Sequence, residues 1–540
     1  MVSFKNLKAE KLIFSGLLFC ALFTIWFPQY LVQGDGPAHI YNSKILLDLA
    51  RGVNTQFYTT YYDFVFSLVP NWFTHLWLAL LQTLFAPVIA EKVFVSVYAL
   101  FATLSFRFLC RQLNPKTSYS YFLVFPLVFQ FLYYYGFYNY CFGMALGLLF
   151  VGCWLKWQAG SVYKSYIGLL SLSALVFFTH PLGWFLIAAI MAGFALIDAA
   201  QFVDERFSKI SLQKLMHRWL PVVAAALVPL ILSLLFIKKH SGDDLPKPES
   251  MERLWKALAS FEVINIYSSA EDLIAPLFSW LLLGATILSV AFRLKNKTGF
   301  KRADSFLIGV SILLIVYFIQ PPSLTLASFW VQRMSWLPWL LLILWLSAVE
   351  QPEWLNKALG ATGAIIFIAL LIVRLPFQLK NSEAEQDYLS AIPYIPANAV
   401  VLPLSFCNFG CDETGHVYNK TWFFQHGFDY SGAIKPNINL VNYQAQTPWF
   451  PVQYKHGCDP YVLLNCTECQ PPNVLLDGFE KNGCSWKIEY VITFCIRYRD
   501  SKNELNISLN KQLYKGYDMI YESASGRTQL WRLKTISNSL

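Results

Sequence analysis

One short stretch, Gly34-Asp35-Gly36-Pro37-Ala38-His39-Ile40-Tyr41-Asn42, places an acid, an imidazole and an amide within eight residues, directly after the first long apolar run. Carboxylates and imidazoles are common proton-transfer groups. Ionisable side chains at the mouth of a membrane helix are costly and are retained for function. Two glycines and a proline bend the chain here, so a turn presents Asp35 just before a new helix begins. A plainer role fits the same residues: Asp is a favoured N-cap, and proline suits a first helical turn.

The elements that position this stretch follow from composition. The 540 residues are 56% hydrophobic and only 14% charged, far below the charged fraction of a soluble domain, which indicates a polytopic membrane protein. Lys5, Lys8 and Lys11 precede the apolar run 12–32, which is long enough to span a bilayer and lacks a small-residue cleavage site. It reads as an uncleaved first helix with a cytoplasmic N-terminus. Ten further spans fall near 93–110, 118–135, 138–155, 165–179, 182–200, 219–237, 273–292, 304–319, 335–349 and 358–374. The loops this assigns inside carry 18 Lys and Arg, whereas the longer ones assigned outside carry 9, which is the positive-inside bias. The net charge of +9 is spread over membrane loops rather than gathered on a soluble face, so nucleic acid is not an expected partner.

The first outer loop, 32–92, is long and partly apolar, and its segments 39–50 and 72–86 read as helices lying at the interface. Residues 1–375 form the membrane domain. From 376 to 540 the chain turns polar, with β-type runs at 399–403 and 488–494, and reads as a soluble α/β domain on the outer side. Seven of the eleven cysteines lie in it (Cys407, Cys411, Cys458, Cys466, Cys469, Cys484 and Cys495). Disulfides with one thiol left over are expected there, ahead of a zinc site at Cys466-Thr-Glu-Cys469.

On this topology the unusual polar residues collect on the outer side. They are Asp35, His39, Asn42, Asn71 and His75, then Tyr138 and Asn139, then His180, then Lys238 and Lys239, then Trp330, Gln332 and Arg333. Several have structural readings: His180 before Pro181 as a turn residue, and Tyr138-Asn139 as part of an interfacial aromatic belt. Arg333 is harder to dismiss, because orientation disfavours a cation at that face.

A helix anchored from the inner side, a long outer loop opening on an acid, many further spans and an outer C-terminal domain together resemble the GT-C glycosyltransferases. The likeness is to protein mannosyltransferases and aminoarabinose transferases that use polyprenyl-phosphate-sugar donors. At motif level it rests on Gly34-Asp35-Gly36, and it departs from the acid pair usual in that loop because Asp35 stands alone. The resemblance implies transfer of a sugar from a polyprenyl-phosphate donor to a glycan, lipid or protein acceptor at the outer face of a cell inner membrane. It implies Asp35 as the base, Arg333 and Lys239 as donor-phosphate ligands, and His39, Asn42, His75, Tyr138, Asn139, His180, Trp330 and Gln332 as orienting residues. A divalent metal is possible in such a site. A lipid-saccharide transporter would instead carry repeats and midplane charges, and a membrane scaffold would leave the polar cluster unexplained.

Overall fold

The computed structural model describes residues 4–534 apart from 67, 117–118, 159–161, 205–208, 241–246, 322–328 and 499–501; side chains at 4–7, 162–164, 204, 209–211 and 236–240 are likewise outside the described set. Eight helices among the described residues are long and apolar enough to cross a membrane, and they coincide with eight of the eleven expected spans. The other three are shorter. Val162–Thr179 and Leu337–Ala348 are helices at 165–179 and 335–349, but the expected span 118–135 is broken.

That segment forms a 3-10 turn at Ser120–Val124 and short helices at Phe125–Val128 and Phe131–Tyr134. Gln130 interrupts it: its backbone is extended, and its side chain accepts the N–H of Leu132 at 2.8 Å. Irregular backbone is tolerated at membrane depth only when surrounded by protein. Here every residue from Ser120 to Gln130 is buried.

The helix Gly36–Ala50 also departs from expectation. Instead of lying on the surface it has twelve buried residues, because the bundle covers one side and the C-terminal region the other. Tyr41 donates to the carbonyl of Asn437 at 2.8 Å, and Asn42 and Asn442 exchange amide hydrogen bonds at 2.8 and 3.0 Å. The neighbouring helix Trp72–Leu81 keeps Leu76, Trp77 and Leu80 exposed.

Glu353–Tyr388 is one continuous helix that runs out of the bundle and into the C-terminal region. Its Arg374 is fully buried and pairs with Glu271 at 2.6 Å, while donating to the carbonyls of Phe129 and Ile264. Glu271 also accepts backbone N–H groups of Ile266, Tyr267 and Ser268. The pair therefore locks the broken segment to two helices.

The C-terminal region is built on a five-stranded sheet in the order Asn437–Asn439, Ala399–Ser405, Tyr490–Phe494, Thr528–Leu533 and Tyr517–Glu522. The first two pairings are parallel and the last two antiparallel. Ala399–Ser405 is buried along its whole length, as expected of a strand covered on both faces. The region is stitched to the first loop by a small antiparallel ladder that pairs Tyr62 with Tyr454. Disulfides join Cys458 to Cys484 and Cys466 to Cys469. Cys407, Cys411 and Cys495 stand outside these two bonds and lie buried, with Cys495 against Cys411.

Candidate active site

Two turns that are distant in sequence dock to place Asp35. Its N–H donates to the carbonyl of Tyr135 at 2.8 Å. Gly136 sits opposite with φ +87, and a Cβ there would fall 2.5 Å from the nitrogen of Gly36 and 3.0 Å from the Asp35 backbone. Only glycine meets both demands. Gly36 is similarly crowded, since a Cβ would lie 2.4 Å from a carboxylate oxygen of Glu91.

Asp35 occupies the N-cap position of helix 36–50 without making a side-chain cap bond. The capping reading therefore fails on geometry. The carboxylate instead faces a seam between the bundle and the C-terminal region. Tyr443 donates its hydroxyl to it, and His426 Nε2 stands 3.9 Å from Oδ1. Burial pushes the Asp35 carboxyl up to about 7; Tyr443 opposes this, Glu468 adds to it, and Arg333 partly offsets it. Burial also lowers His426, so that contact is with a neutral imidazole rather than an ion pair.

Arg333 stands on the short helix Trp330–Met334, with its guanidinium 4.7 Å from the Phe137 ring centre and 5.8 Å from that of Tyr140. Its Nη1 lies 3.2 Å from His180 Nε2, and its Nε is buried without a hydrogen-bond partner among the described residues. His180 Nδ1 accepts the N–H of Leu182 at 3.2 Å. In the neutral ring, favoured because burial and Arg333 hold its pKa well down, that leaves the proton on Nε2. Two donors then face one another, an arrangement that an anionic oxygen between them would satisfy.

The remaining predicted residues divide between site and scaffold. His39 and His75 approach at 3.4 Å and are bridged by Gln444, at 3.0 Å from His39 and 2.9 Å from His75. Burial lowers both, His75 to about 4, so both are neutral near pH 7. Tyr138 packs its ring 5.5 Å from His39 and donates to Glu91 at 2.6 Å. Asn42 is committed to Asn442. Asn139 accepts from the backbone and hydroxyl of Thr74, holding the start of helix 72–81. Trp330 donates to the carbonyl of Tyr317 and anchors its own helix, while Gln332 is half-buried on the same turn. The side chain of Lys239 lies outside the described residues.

Sequence reasoning missed His426, Tyr443, Gln444 and Glu468, which reach the site from about 400 residues downstream. It also missed Glu91 and Glu385. Glu91 accepts from Tyr138 and Tyr430, and Glu385 is buried beside Gly427 with both oxygens unpartnered. A signal existed for Glu91, an acid inside the apolar helix Pro87–Leu113. Among the described residues, no group of three or more His, Cys, Asp or Glu could hold a metal ion.

Two crystal structures of ArnT from Cupriavidus metallidurans, one bound to undecaprenyl phosphate and one in the apo state, align with 96% of this chain and 97% of theirs, at TM-scores of 0.55 and 0.54 and 10% sequence identity. The chain has the ArnT fold. ArnT is a GT-C glycosyltransferase, so the resemblance drawn from the loop layout is matched at the level of fold. No family model matches the chain, and no curated protein sequence does. At this identity the likeness concerns fold, and the chemistry has to be argued from the seam itself.

Proposed function

We propose that this protein is a multi-pass membrane glycosyltransferase that moves a sugar from a polyprenyl-phosphate donor to a glycan, lipid or protein acceptor at the outer face of a cell inner membrane. The observation that carries the reading is the convergence of Asp35 and Arg333 in one buried seam, each within the other's electrostatic reach. A general base works best with a pKa near the operating pH, and the Asp35 value of about 7 meets that condition. Arg333 supplies the planar donor set suited to phosphate oxygens, with His180 Nε2–H beside it.

In the proposed step an acceptor hydroxyl or amine attacks the anomeric carbon of the donor. The bond from that carbon to the phosphate oxygen breaks, and its electrons leave with the lipid phosphate, whose charge Arg333 and His180 stabilise. The acceptor proton passes to Asp35. The undecaprenyl phosphate bound by the structurally similar ArnT supports a lipid phosphate as leaving group. Purified protein incubated with undecaprenyl-phosphate-linked sugars and an extract of membrane acceptors should release undecaprenyl phosphate, and Asp35→Asn should cut the release by about 10²-fold or more. If no donor in the panel is consumed above the Asp35→Asn background, the reading fails.

A further inference from the structure

The end of the bundle opposite Asp35 carries a second concave site. A cavity of about 430 Å³ opens there, lined by Lys116, Arg293, Lys301 and Arg302, with Glu350 as its single acid. Helix Pro87–Leu113 extends from Glu91, beside the Asp35 turn, to Gln112 on the cavity wall. That span rises about 30 Å at 1.5 Å per residue, the thickness of a bilayer's hydrocarbon core. The cavity therefore sits at headgroup depth on the opposite face.

Its cations are unequally offset. Arg293 makes a two-pronged pair with Asp304, one prong at 2.8 Å. Among the described residues, Arg302 has only Gln158 as a hydrogen-bond partner, at 2.9 Å. Asp198, the nearest carboxylate among the described residues, is 4.0 Å away and already taken by Arg218 at 2.5 Å. The Nε and Nη2 of Arg302 are buried without hydrogen-bond partners among the described residues. The guanidinium is held 5.5 Å from the Trp154 ring centre and 5.3 Å from that of Phe194, which fixes its plane. Lys116 and Lys301 are exposed. Orientation bias accounts for Lys and Arg on this face, but not for a cavity that gathers four of them around a single acid. The same end carries exposed apolar side chains, Phe300 at 90%, Leu294 at 73% and Trp354 at 62%, the composition of a surface that sits among lipid headgroups.

We propose that this cavity binds the phosphate of an anionic phospholipid from the leaflet opposite the Asp35 site, with Lys116 and Lys301 holding the phosphate oxygens and the guanidinium of Arg302 adding positive charge to the wall. A soluble phosphate has the same oxygen chemistry, so the test separates the two sources. Full-length protein is delipidated, supplied with phosphatidylglycerol, phosphatidylcholine or inorganic phosphate, and the retained lipid is counted by native mass spectrometry. Lys116→Gln/Lys301→Gln is compared with Lys295→Gln/Lys297→Gln, a pair of exposed neighbours that removes the same charge without lining the cavity. Phosphatidylglycerol should be retained by the parent and the Lys295/Lys297 variant. Retention should fall about tenfold or more in the Lys116/Lys301 variant, the scale expected for two cations withdrawn from an anionic headgroup. Equal loss in both variants, equal retention of phosphatidylcholine, or displacement of the lipid by millimolar inorganic phosphate would each overturn the proposal.

Discussion

Asp35→Asn should move stability and activity in opposite directions, which separates a catalytic acid from a structural one. Burial raises this carboxyl from 3.8 to about 7, equivalent to about 4 kcal/mol against the ionised form at about 1.4 kcal/mol per tenfold. An acid with a raised folded pKa binds more protons folded than unfolded, so its penalty is absent below about pH 4 and complete above about pH 7. Asparagine keeps the size and a carbonyl for the Tyr443 hydroxyl but never ionises. At about pH 8 the variant should therefore be more stable than the parent, by about 1–4 kcal/mol once relaxation of the seam is allowed for. Activity should fall by about 10²-fold or more, the usual scale for losing a general base. Parent activity should climb as pH rises through about 7, where Asp35 ionises, and any residual activity of the variant should lack that limb. The assay pairs denaturant or thermal unfolding in detergent with release of undecaprenyl phosphate across pH. A variant that keeps parental turnover and the same acid limb would refute the assignment of Asp35 as base, whatever its stability.

Arg333→Lys should keep the charge yet lose the planar fork, and Arg333→Ala should lose more; both should weaken binding of undecaprenyl phosphate and turnover at low donor. If both variants match the parent at every donor concentration, the phosphate site lies elsewhere, with Lys239 the next candidate. Gly136→Ala places a side chain at φ +87 against the Gly36 nitrogen, a strain of about 1–3 kcal/mol before any clash. It should lower both the melting temperature and activity, and an unchanged melting temperature would mean that the two turns do not dock as described. Arg374→Met and Glu271→Gln each leave one buried charge unpaired, at a cost of about 3–5 kcal/mol. The double variant should unfold later than either single variant; strict additivity in a double-mutant cycle would argue against the pair.

The membrane class, eight of the spans and the two central strands near 399–403 and 488–494 were legible in the sequence. Each rests on a local quantity, the hydropathy of a run or its alternation, that neighbouring residues determine on their own. Asp35 and Arg333 stood out for a related reason, as charges at positions where the local environment makes charge expensive. The tertiary structure decided what the local pattern leaves open. Segment 118–135 has the hydropathy of a span, yet it breaks at Gln130 because surrounding protein makes irregular backbone affordable there. Segment 39–50 read as a helix lying at the membrane interface because its loop is long and partly apolar, whereas its Tyr41 and Asn42 are buried against Asn437 and Asn442 of the C-terminal region. The residues that complete the Asp35 seam, Tyr443, His426 and Glu468, carry no signal of their own, since an ordinary tyrosine, histidine or glutamate in a polar loop gains its role only from what it is folded against. Composition settles which solvent each segment enters, and only the packing of segments hundreds of residues apart settles which side chains share a buried site.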